Sequence, residues 1–275
     1  MLSNSHSVST PLVSIVVNNY NNERYLRGCL DSLIGQSYKN IEIVVVDAFS
    51  TDESRALLDS YALKDSRIKL VYSDAYIKYP AISYNLGFLS CSGEFIAIND
   101  PDDISMPTRI EKQLGYLLLN DKVDVVGCNC IEFNDSMERT VITTAEKNVK
   151  NACPPARNPS LMFRKIVVAR HGMWRWQCEY AADFEWLYRW YSSGVTFFIL
   201  EEPLIRYRYS HGGNISNSRA LNQSVKIAIF RTYFGFKLIK SSGLRWWYQT
   251  LFAYYYVGSL SFKWCLKRML GLVSK

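Results

Sequence analysis

The sequence concentrates acids in one short segment, where Asp100, Asp102 and Asp103 fall within four residues and follow an apolar run. Carboxylates this close repel one another, so the arrangement costs free energy unless a cation or a hydrogen-bond donor compensates. Mg²⁺ and Mn²⁺ prefer oxygen ligands and share their coordination with substrate phosphates. The segment therefore predicts a divalent-cation site, for which a diphosphate leaving group is the natural partner. A surface loop, or a helix cap formed by Asp103 ahead of Pro107, is the alternative.

Four further residues could contribute to such a site. Asp183 begins a segment with apolar residues on one helical face, so it can project from a helix end into a cleft, although aspartate also caps helices. Arg206 and Arg208 lie on a strand-like run, and arginine binds phosphate in a bidentate manner. One of the two is predicted to reach the diphosphate and the other solvent; a solvated strand face is the alternative. His211 precedes two glycines, and both a ligand role and a structural role stay open.

The elements that must position these residues alternate along the chain. Apolar runs rich in β-branched residues predict strands at residues 13–17, 41–47, 68–72 and 94–99. Segments with helical spacing separate these runs, which predicts an α/β fold with an open, mostly parallel, Rossmann-like sheet and helices on both faces. Ligands bind beyond the carboxyl ends of the strands in such sheets. Polar clusters follow three of the strands, at residues 18–22, 47–52 and 100–103, which predicts a site at that edge.

From Val13 to Ser216 the order of short motifs resembles the inverting family 2 glycosyltransferases, which have the GT-A fold of nucleotide-diphospho-sugar transferases. The matching segments, in chain order, are residues 20–21, 47–52, 83–87, 93–96, 100–103, 159–164, 182–187 and 203–208, followed by His211 and Ser216. The resemblance implies an inverting, metal-dependent enzyme that moves a sugar from a nucleotide-diphosphate sugar to an acceptor hydroxyl.

The resemblance also implies roles by position. Asp183 is the expected catalytic base, which takes the proton of the acceptor hydroxyl. Asp102 and Asp103 are the expected ligands of a Mn²⁺ or Mg²⁺ ion, which offsets charge on the departing diphosphate. The residues expected to surround the nucleotide sugar are Tyr20, Asn21, Asp47, Asn85, Asp100, Asp102, Arg208 and His211.

Four departures from the family's motifs fall beside these residues. Ala48 stands in place of an aspartate that commonly contacts the nucleobase, Phe49 in place of a glycine, Asn18-Asn19 in place of Pro-x, and Ala182 in place of the glutamate before Asp183. They leave the donor's base open. They also make a non-catalytic nucleotide-sugar or partner-binding module on the same fold the alternative to an enzyme. A nucleotidyltransferase with the same metal aspartates is a further alternative.

Composition and missing motifs narrow the other classes. The 275 residues are 48% hydrophobic and 21% charged, which excludes collagen-like, disordered and disulfide-scaffold proteins. No P-loop, Gly-x-Gly-x-x-Gly, Gly-x-Ser-x-Gly or His-x-x-x-His occurs in the sequence. The seven cysteines include no Cys-x-x-Cys pair, so we expect reduced, mostly buried thiols and a cytosolic setting.

Charge is distributed unevenly along the chain. Residues 219–275 contain ten Lys or Arg and no Asp or Glu, whereas residues 1–218 contain 22 basic and 25 acidic residues. We therefore expect a flexible leader at 1–10, without a secretory signal, a GT-A glycosyltransferase domain at 11–216, and a basic, aromatic C-terminal helical segment at 217–275.

The C-terminal segment indicates where the protein works. Trp and Tyr prefer the membrane interface, and Lys and Arg favour anionic lipids, which predicts in-plane attachment to an anionic membrane surface. A packed helical appendage or oligomer contact and a membrane span are the alternatives. Attachment suits a saccharide or lipid-linked saccharide acceptor, as in cell-surface polysaccharide or lipopolysaccharide assembly at the cytoplasmic side of the plasma membrane. No recognition motif supports nucleic-acid binding.

Overall fold

The computed structural model describes residues 10–134, 138–141, 156–176 and 182–209. Most of the leader, His211, Ser216 and the whole C-terminal segment fall outside the described residues. The expected boundaries at residues 11, 216 and 217 therefore stay predictions.

The first half of the chain alternates strands and helices as the sequence predicts. Its elements are β1 (Val13–Asn19), α1 (Glu23–Ile34), β2 (Ile41–Asp47), α2 (Ser54–Ala62), β3 (Ile68–Tyr72), α3 (Pro80–Ser90) and β4 (Phe95–Asn99). The predicted bounds of β2 and β3 are confirmed, and β1 extends two residues beyond its predicted end. Pro80 occupies the first turn of α3, where a missing N–H costs the helix nothing.

The second half mixes strand directions and contains elements that the sequence pattern did not separate. They are β5 (Ile104–Ser105), α4 (Arg109–Leu119), β6 (Val125–Phe133), β7 (Glu138–Val141), β8 (Met162–Arg164), α5 (Lys165–His171), α6 (Ala182–Ser192) and β9 (Phe197–Arg208). The long strand β9 includes the strand-like run that carries Arg206 and Arg208.

The described strands form one sheet in the order β3-β2-β1-β4-β8-β6-β9-β5, with β7 paired to β6. Strands β1 to β4 run parallel, and β6 and β9 share their direction; β5, β7 and β8 run antiparallel to their neighbours. The sheet is therefore mostly parallel, and the expected α/β architecture is confirmed.

Helices cover both faces of the sheet, because the strands between them are apolar on both sides. One face packs against α1, α2 and α4 through Leu26, Leu30, Leu58 and Leu114. The other face packs against α3, α5 and α6 through Phe88, Val167, Trp186 and Trp190. The sheet is therefore enclosed between two layers of helices.

Helix α6 differs from the amphipathic helix that the sequence suggests. Trp186 and Trp190 are fully buried, and Phe184, Glu185 and Tyr188 are buried as well. A helix that is buried around most of its circumference belongs to the core rather than to the surface. Asp183, in the first turn, is half-buried.

Two further expectations concern cysteines and membrane contact. The cysteines in the described part of the chain, Cys29, Cys91, Cys128 and Cys130, are free and buried, as expected of reduced thiols. None of the helices among the described residues has the length and apolar character to span a bilayer.

Candidate functional site

The carboxyl ends of β1, β2 and β4 lie side by side at one edge of the sheet. Asn19 at the end of β1 is in register with Asp47 at the end of β2, and Val17 is in register with Asn99 at the end of β4. The three polar clusters that follow these strands therefore meet, as the sequence predicts.

Asp47 is the centre of a hydrogen-bond network that fixes the first two loops of this edge. Its carboxylate accepts bonds from the Asn19 side-chain amide (2.9 Å), the Ser50 backbone N–H (2.9 Å) and Arg55 Nε (2.8 Å). Burial raises the pKa of Asp47, but these bonds outweigh burial, so the pKa lies below its usual value. Asp47 is fully buried, and its visible role is to hold the loop at 48–52; the expected contact with the donor stays a prediction.

The loop after β1 is tied to the loop after β2. The Asn21 backbone N–H donates to Ser50 Oγ (2.9 Å), and Asn21 Oδ1 accepts the Thr51 N–H (2.8 Å). Asn21 has a φ of 52°, which asparagine tolerates better than most residues. Tyr20 is 41% exposed, with its ring centroid 5.1 Å from that of Tyr76.

The acidic segment lies against the end of β4. The Tyr84 hydroxyl donates to Asp100 Oδ1, and Asp103 Oδ1 accepts the Arg208 backbone N–H (2.8 Å). Asp103 Oδ2 is buried without a hydrogen-bond partner. Burial and the charge of Asp102 raise the pKa of Asp100 to about 7, and burial with the charges of Asp100 and Asp102 raises the pKa of Asp103 well above its usual value. A cation bound at this segment would offset the mutual repulsion that these raised pKa values reflect.

Asp183 converges on the same place from a distant part of the sequence. Its Oδ1 accepts the Phe184 N–H (2.7 Å), and burial raises its pKa. The charge of Asp183 in turn raises the pKa values of Asp100 and Tyr84. The structure thus brings the predicted base into the electrostatic range of the acidic segment.

Arg208 lies at the end of β9, beside the acidic segment. Its Nε donates to the Asp102 backbone carbonyl (3.3 Å), and its charge partly offsets the rise that burial causes in the pKa of Asp102. The guanidinium lies 4.3 Å from the Tyr25 ring centroid and 4.5 Å from that of Phe133.

Arg206 takes a different partner. Its guanidinium also lies over the Phe133 ring, at 4.6 Å, because positions two apart on a strand share a face. It pairs with Glu138 at 2.7 Å. Of the two arginines, Arg208 is therefore the one that contacts the acidic segment.

Asn85 bonds to the backbone of Trp174. Its side-chain amide donates to the Trp174 carbonyl (2.9 Å), and its Oδ1 accepts the Trp174 N–H (3.0 Å). The side chain fastens α3 to the segment before α6, and its expected place at the nucleotide sugar stays a prediction. His211 lies outside the described residues.

A buried arginine behind the acidic segment was missed in the sequence. Arg109 is fully buried and donates to Asn99 Oδ1 (3.0 Å), Ser105 Oγ (2.9 Å) and the Ile98 carbonyl (2.8 Å). Its charge lowers the pKa values of Asp100 and Asp103, but burial raises them by more, so both stay above their usual value. The spacing of Arg109 and Gln113 on one face of α4, four residues apart, was the signal that could have found it.

The carboxylates of the acidic segment could supply part of the coordination of a cation whose other ligands are phosphate and water. Within the described ranges, no group of three or more His, Cys, Asp or Glu residues is arranged to hold a metal. Mg²⁺ and Mn²⁺ commonly bind through one or two carboxylates and complete their coordination with phosphates and water. The unpartnered Asp103 Oδ2 and the raised pKa of Asp102 are consistent with such a partial site.

Comparison with known proteins decides the family. The family model described as Glycosyl transferase family 2 matches residues 14–189, more than half of the chain. The chain belongs to glycosyl transferase family 2. The matched part of this family 2 protein runs from β1 into α6 and includes Asp47, Asp100, Asp102, Asp103 and Asp183.

Curated relatives share part of their length with this family 2 protein. An uncharacterized glycosyltransferase of Haemophilus influenzae is 33% identical over 140 residues, which cover 51% of this chain and 56% of the relative. The putative glycosyltransferase EpsE of Bacillus subtilis is 38% identical over 128 residues, 46% of each chain. The chain thus spans about half the length of these relatives.

Solved structures show the fold of this family 2 protein. S. aureus TarS 1–349 in complex with UDP-GlcNAc has a TM-score of 0.64 at 18% identity, covering 79% of this chain and 66% of that one. The mannosyltransferase PcManGT of Pyrobaculum calidifontis, in complex with GDP-Man and Mn²⁺, has a TM-score of 0.60 at 17% identity, covering 84% and 64%. At these identities the likeness establishes the GT-A fold and no more.

Proposed function

We propose that the chain is an inverting, metal-dependent glycosyltransferase that transfers a sugar from a nucleotide-diphosphate sugar to an acceptor hydroxyl. The observation that carries the proposal is the packing of α6, which bears Asp183, against the acidic segment. Trp186 of this helix packs on Trp174, Trp174 stacks on Tyr84, and Tyr84 donates to Asp100. The charge of Asp183 accordingly raises the pKa of Asp100. A base beside a cluster able to bind a cation and a diphosphate is what a direct displacement requires.

Asp183 is the proposed base. A carboxylate in water is a weak base for an alcohol, and burial that raises the pKa of Asp183 brings its basicity closer to the working pH. It would take the acceptor proton as the acceptor oxygen attacks the sugar carbon and the diphosphate leaves. One base and one displacement give inversion at that carbon.

Asp102 and Asp103 are the proposed ligands of a Mn²⁺ or Mg²⁺ ion. The ion would offset the charge that develops on the departing diphosphate. Arg208, held against the Asp102 carbonyl, is positioned to bind the same diphosphate as a fork of N–H donors. The Mn²⁺ bound with GDP-Man in the mannosyltransferase PcManGT supports a divalent cation.

The donor and acceptor are proposed at the level of their chemical class. The neighbours in complex with UDP-GlcNAc and with GDP-Man support a nucleotide-diphosphate sugar as donor. A saccharide or lipid-linked saccharide acceptor follows from the basic, aromatic segment at 217–275, which would attach to anionic lipid at the cytoplasmic face of the plasma membrane. Cell-surface polysaccharide or lipopolysaccharide assembly is the corresponding role.

Substitution of the base tests the proposal. In Asp183→Asn we expect release of UDP or GDP from UDP-GlcNAc, UDP-glucose or GDP-mannose to fall at least 100-fold, as expected for the loss of a general base. Binding of the same donor, measured by calorimetry, should change little. Asp121→Asn is the matched control, because the Asp121 side chain is 95% exposed.

Two results would contradict different parts of the proposal. Turnover that Asp183→Asn leaves intact would remove Asp183 from the chemistry. Donor binding by a wild-type chain that turns over none of the three donors would favour the non-catalytic binding module. Removal of divalent cations with EDTA should abolish turnover, and added Mn²⁺ should restore it; full activity in EDTA would exclude metal dependence.

A further inference from the structure

Phe49 combines two features that the fold alone does not require. Its φ is 72°, a left-handed conformation that glycine adopts freely and that a bulky side chain without a polar group rarely adopts. Its ring is also 38% exposed. A phenylalanine that is both strained and exposed contributes little to the core, and such backbone outliers concentrate at functional sites.

Neighbouring groups hold the ring in place. The Arg55 guanidinium lies over the Phe49 ring at 5.2 Å and over the Tyr72 ring at 5.0 Å. Arg55 is itself fixed by Asp47 Oδ1 (2.8 Å) and the Ser73 carbonyl (2.7 Å). The contact with Arg55 therefore holds the Phe49 ring in one position on the surface.

The ring lies where one end of a nucleoside diphosphate would reach. Phe49 follows β2 and Asp100 follows β4, and β1 lies between these two strands. Two strand spacings amount to roughly 10 Å, which is about the length from a nucleobase to its diphosphate. Tyr20, 41% exposed, lies on the loop after β1 between them and adds a second aromatic surface.

The residue before Phe49 offers nothing for reading the edge of a base. Ala48 is buried, with 2% exposure, and its side chain is a methyl group. Stacking accepts any base, because every base has a π face, whereas hydrogen bonds to the base edge discriminate.

We propose that Phe49 binds the nucleobase of the donor by stacking and that, with Ala48 beside it, the site tolerates different bases. The assignment deepens the proposed function and rests on it. Phe49 is then a donor-binding residue: it contributes affinity that requires a base on the diphosphate but depends little on which base that is.

Calorimetry on the full chain with saturating Mn²⁺ tests the assignment, with UDP, GDP, ADP and inorganic pyrophosphate as probes. We expect the wild type to bind the three nucleotides within about tenfold of one another. Phe49→Leu and Phe49→Gly should each lower the affinity for all three nucleotides by about tenfold and leave the affinity for pyrophosphate unchanged. Only Phe49→Gly should raise the melting temperature, by about 2–4 °C, because only glycine relieves the backbone.

Phe198→Leu is the matched control, because Phe198 is also 38% exposed but stacks on Tyr116, away from this edge. It should bind all four probes as the wild type does. Three results would each overturn the assignment and leave the proposed function standing. They are unchanged nucleotide affinity in Phe49→Leu, an equal loss of affinity for pyrophosphate, and a preference of the wild type for one base above about 100-fold. A wild type that binds neither nucleotide nor pyrophosphate would overturn both.

Discussion

At the scale of single residues, burial and partners give the aspartates of one edge opposite properties. Asp47 is buried with three donors around it, and the pKa falls. Asp183 is half-buried with one backbone donor, and its pKa rises. Hydrogen bonds to the charged form lower a carboxyl pKa, and desolvation without enough of them raises it. The first arrangement builds a loop, and the second suits the role of base that we propose for Asp183.

Arg208 is expected to matter for the donor, and Arg206 is its matched control. Arg208→Gln should weaken UDP or GDP binding by about tenfold, because a charged hydrogen bond to the diphosphate is lost. Arg206→Gln should change the affinity less than twofold, since Arg206 pairs with Glu138. Calorimetric titration of both variants measures the difference; equal losses in the two variants would mean that Arg208 does not bind the diphosphate.

At the scale of elements, the position of α3 depends on a close approach to the sheet. A Cβ added at Gly87 would lie 2.5 Å from Val16 Cγ1 and 3.3 Å from Val46 Cγ2. Helix α3 also carries Tyr84, which bonds to Asp100, and Asn85, which bonds to Trp174. The glycine therefore lets α3 lie close enough to the strands to place Tyr84 at the site.

Gly87→Ala is expected to destabilise the fold by about 1–3 kcal/mol, the usual cost of overpacking a core. Gly115→Ala in α4 is the matched control, because nothing lies within 4 Å of a Cβ added there. It should stabilise the fold by about 0.5–1 kcal/mol through helix propensity. Urea unfolding measures both free energies; a stabilising Gly87→Ala would show that the contact with Val16 is not tight.

At the scale of the whole molecule, the two edges of the sheet differ in how their carboxylates are compensated. At the amino edge, the buried Glu42 accepts a bond from Ser14 and pairs with Lys69. Burial raises its pKa, but these partners and the Ser92 N–H lower it from 4.5 to about 2. At the carboxyl edge, Asp100 and Asp103 have raised pKa values. Partners within the chain compensate the carboxylate at the amino edge, whereas the carboxylates at the carboxyl edge are less fully compensated, as the proposed cation site requires.

Glu42 should therefore make stability depend on pH in acid. A carboxyl whose folded pKa is depressed stabilises the fold above its unfolded pKa of 4.5 and loses that contribution as pH falls towards about 2. Glu42→Gln should cost about 2 kcal/mol at pH 7, less than the full shift implies because Lys69 is half-exposed and water screens its charge.

The difference between wild type and Glu42→Gln in urea unfolding should shrink between pH 4.5 and about 2. Glu202→Gln is the control, since its ion pair with Lys112 has side chains that are 51% and 43% exposed, and exposed pairs contribute little. If the loss of unfolding free energy in Glu42→Gln stayed constant down to about pH 2, the depressed pKa of Glu42 would be contradicted.

The sequence by itself determined the alternation of strands and helices and the edge of the sheet at which the candidate site lies. β-branched runs mark β2 and β3 to the residue. Strand β2 is buried along its whole length, as expected of an apolar parallel strand that is covered on both faces. The polar clusters that interrupt these runs fall at strand ends, so their meeting at one edge follows from parallel topology. Motif order was sufficient to indicate the family.

Only the tertiary structure decided which partners the candidate side chains have. Asp47, Asn85 and Arg206 look like equal candidates in the sequence, yet each has partners that come from other elements. The short strands β5 and β8 exist through pairing with β9, β4 and β6, which no local pattern encodes. The same holds for the left-handed backbone of Phe49 and for the burial of Arg109. Both depend on contacts between segments that are distant in the sequence, because packing, and not the neighbours along the chain, sets burial and hydrogen-bond partners.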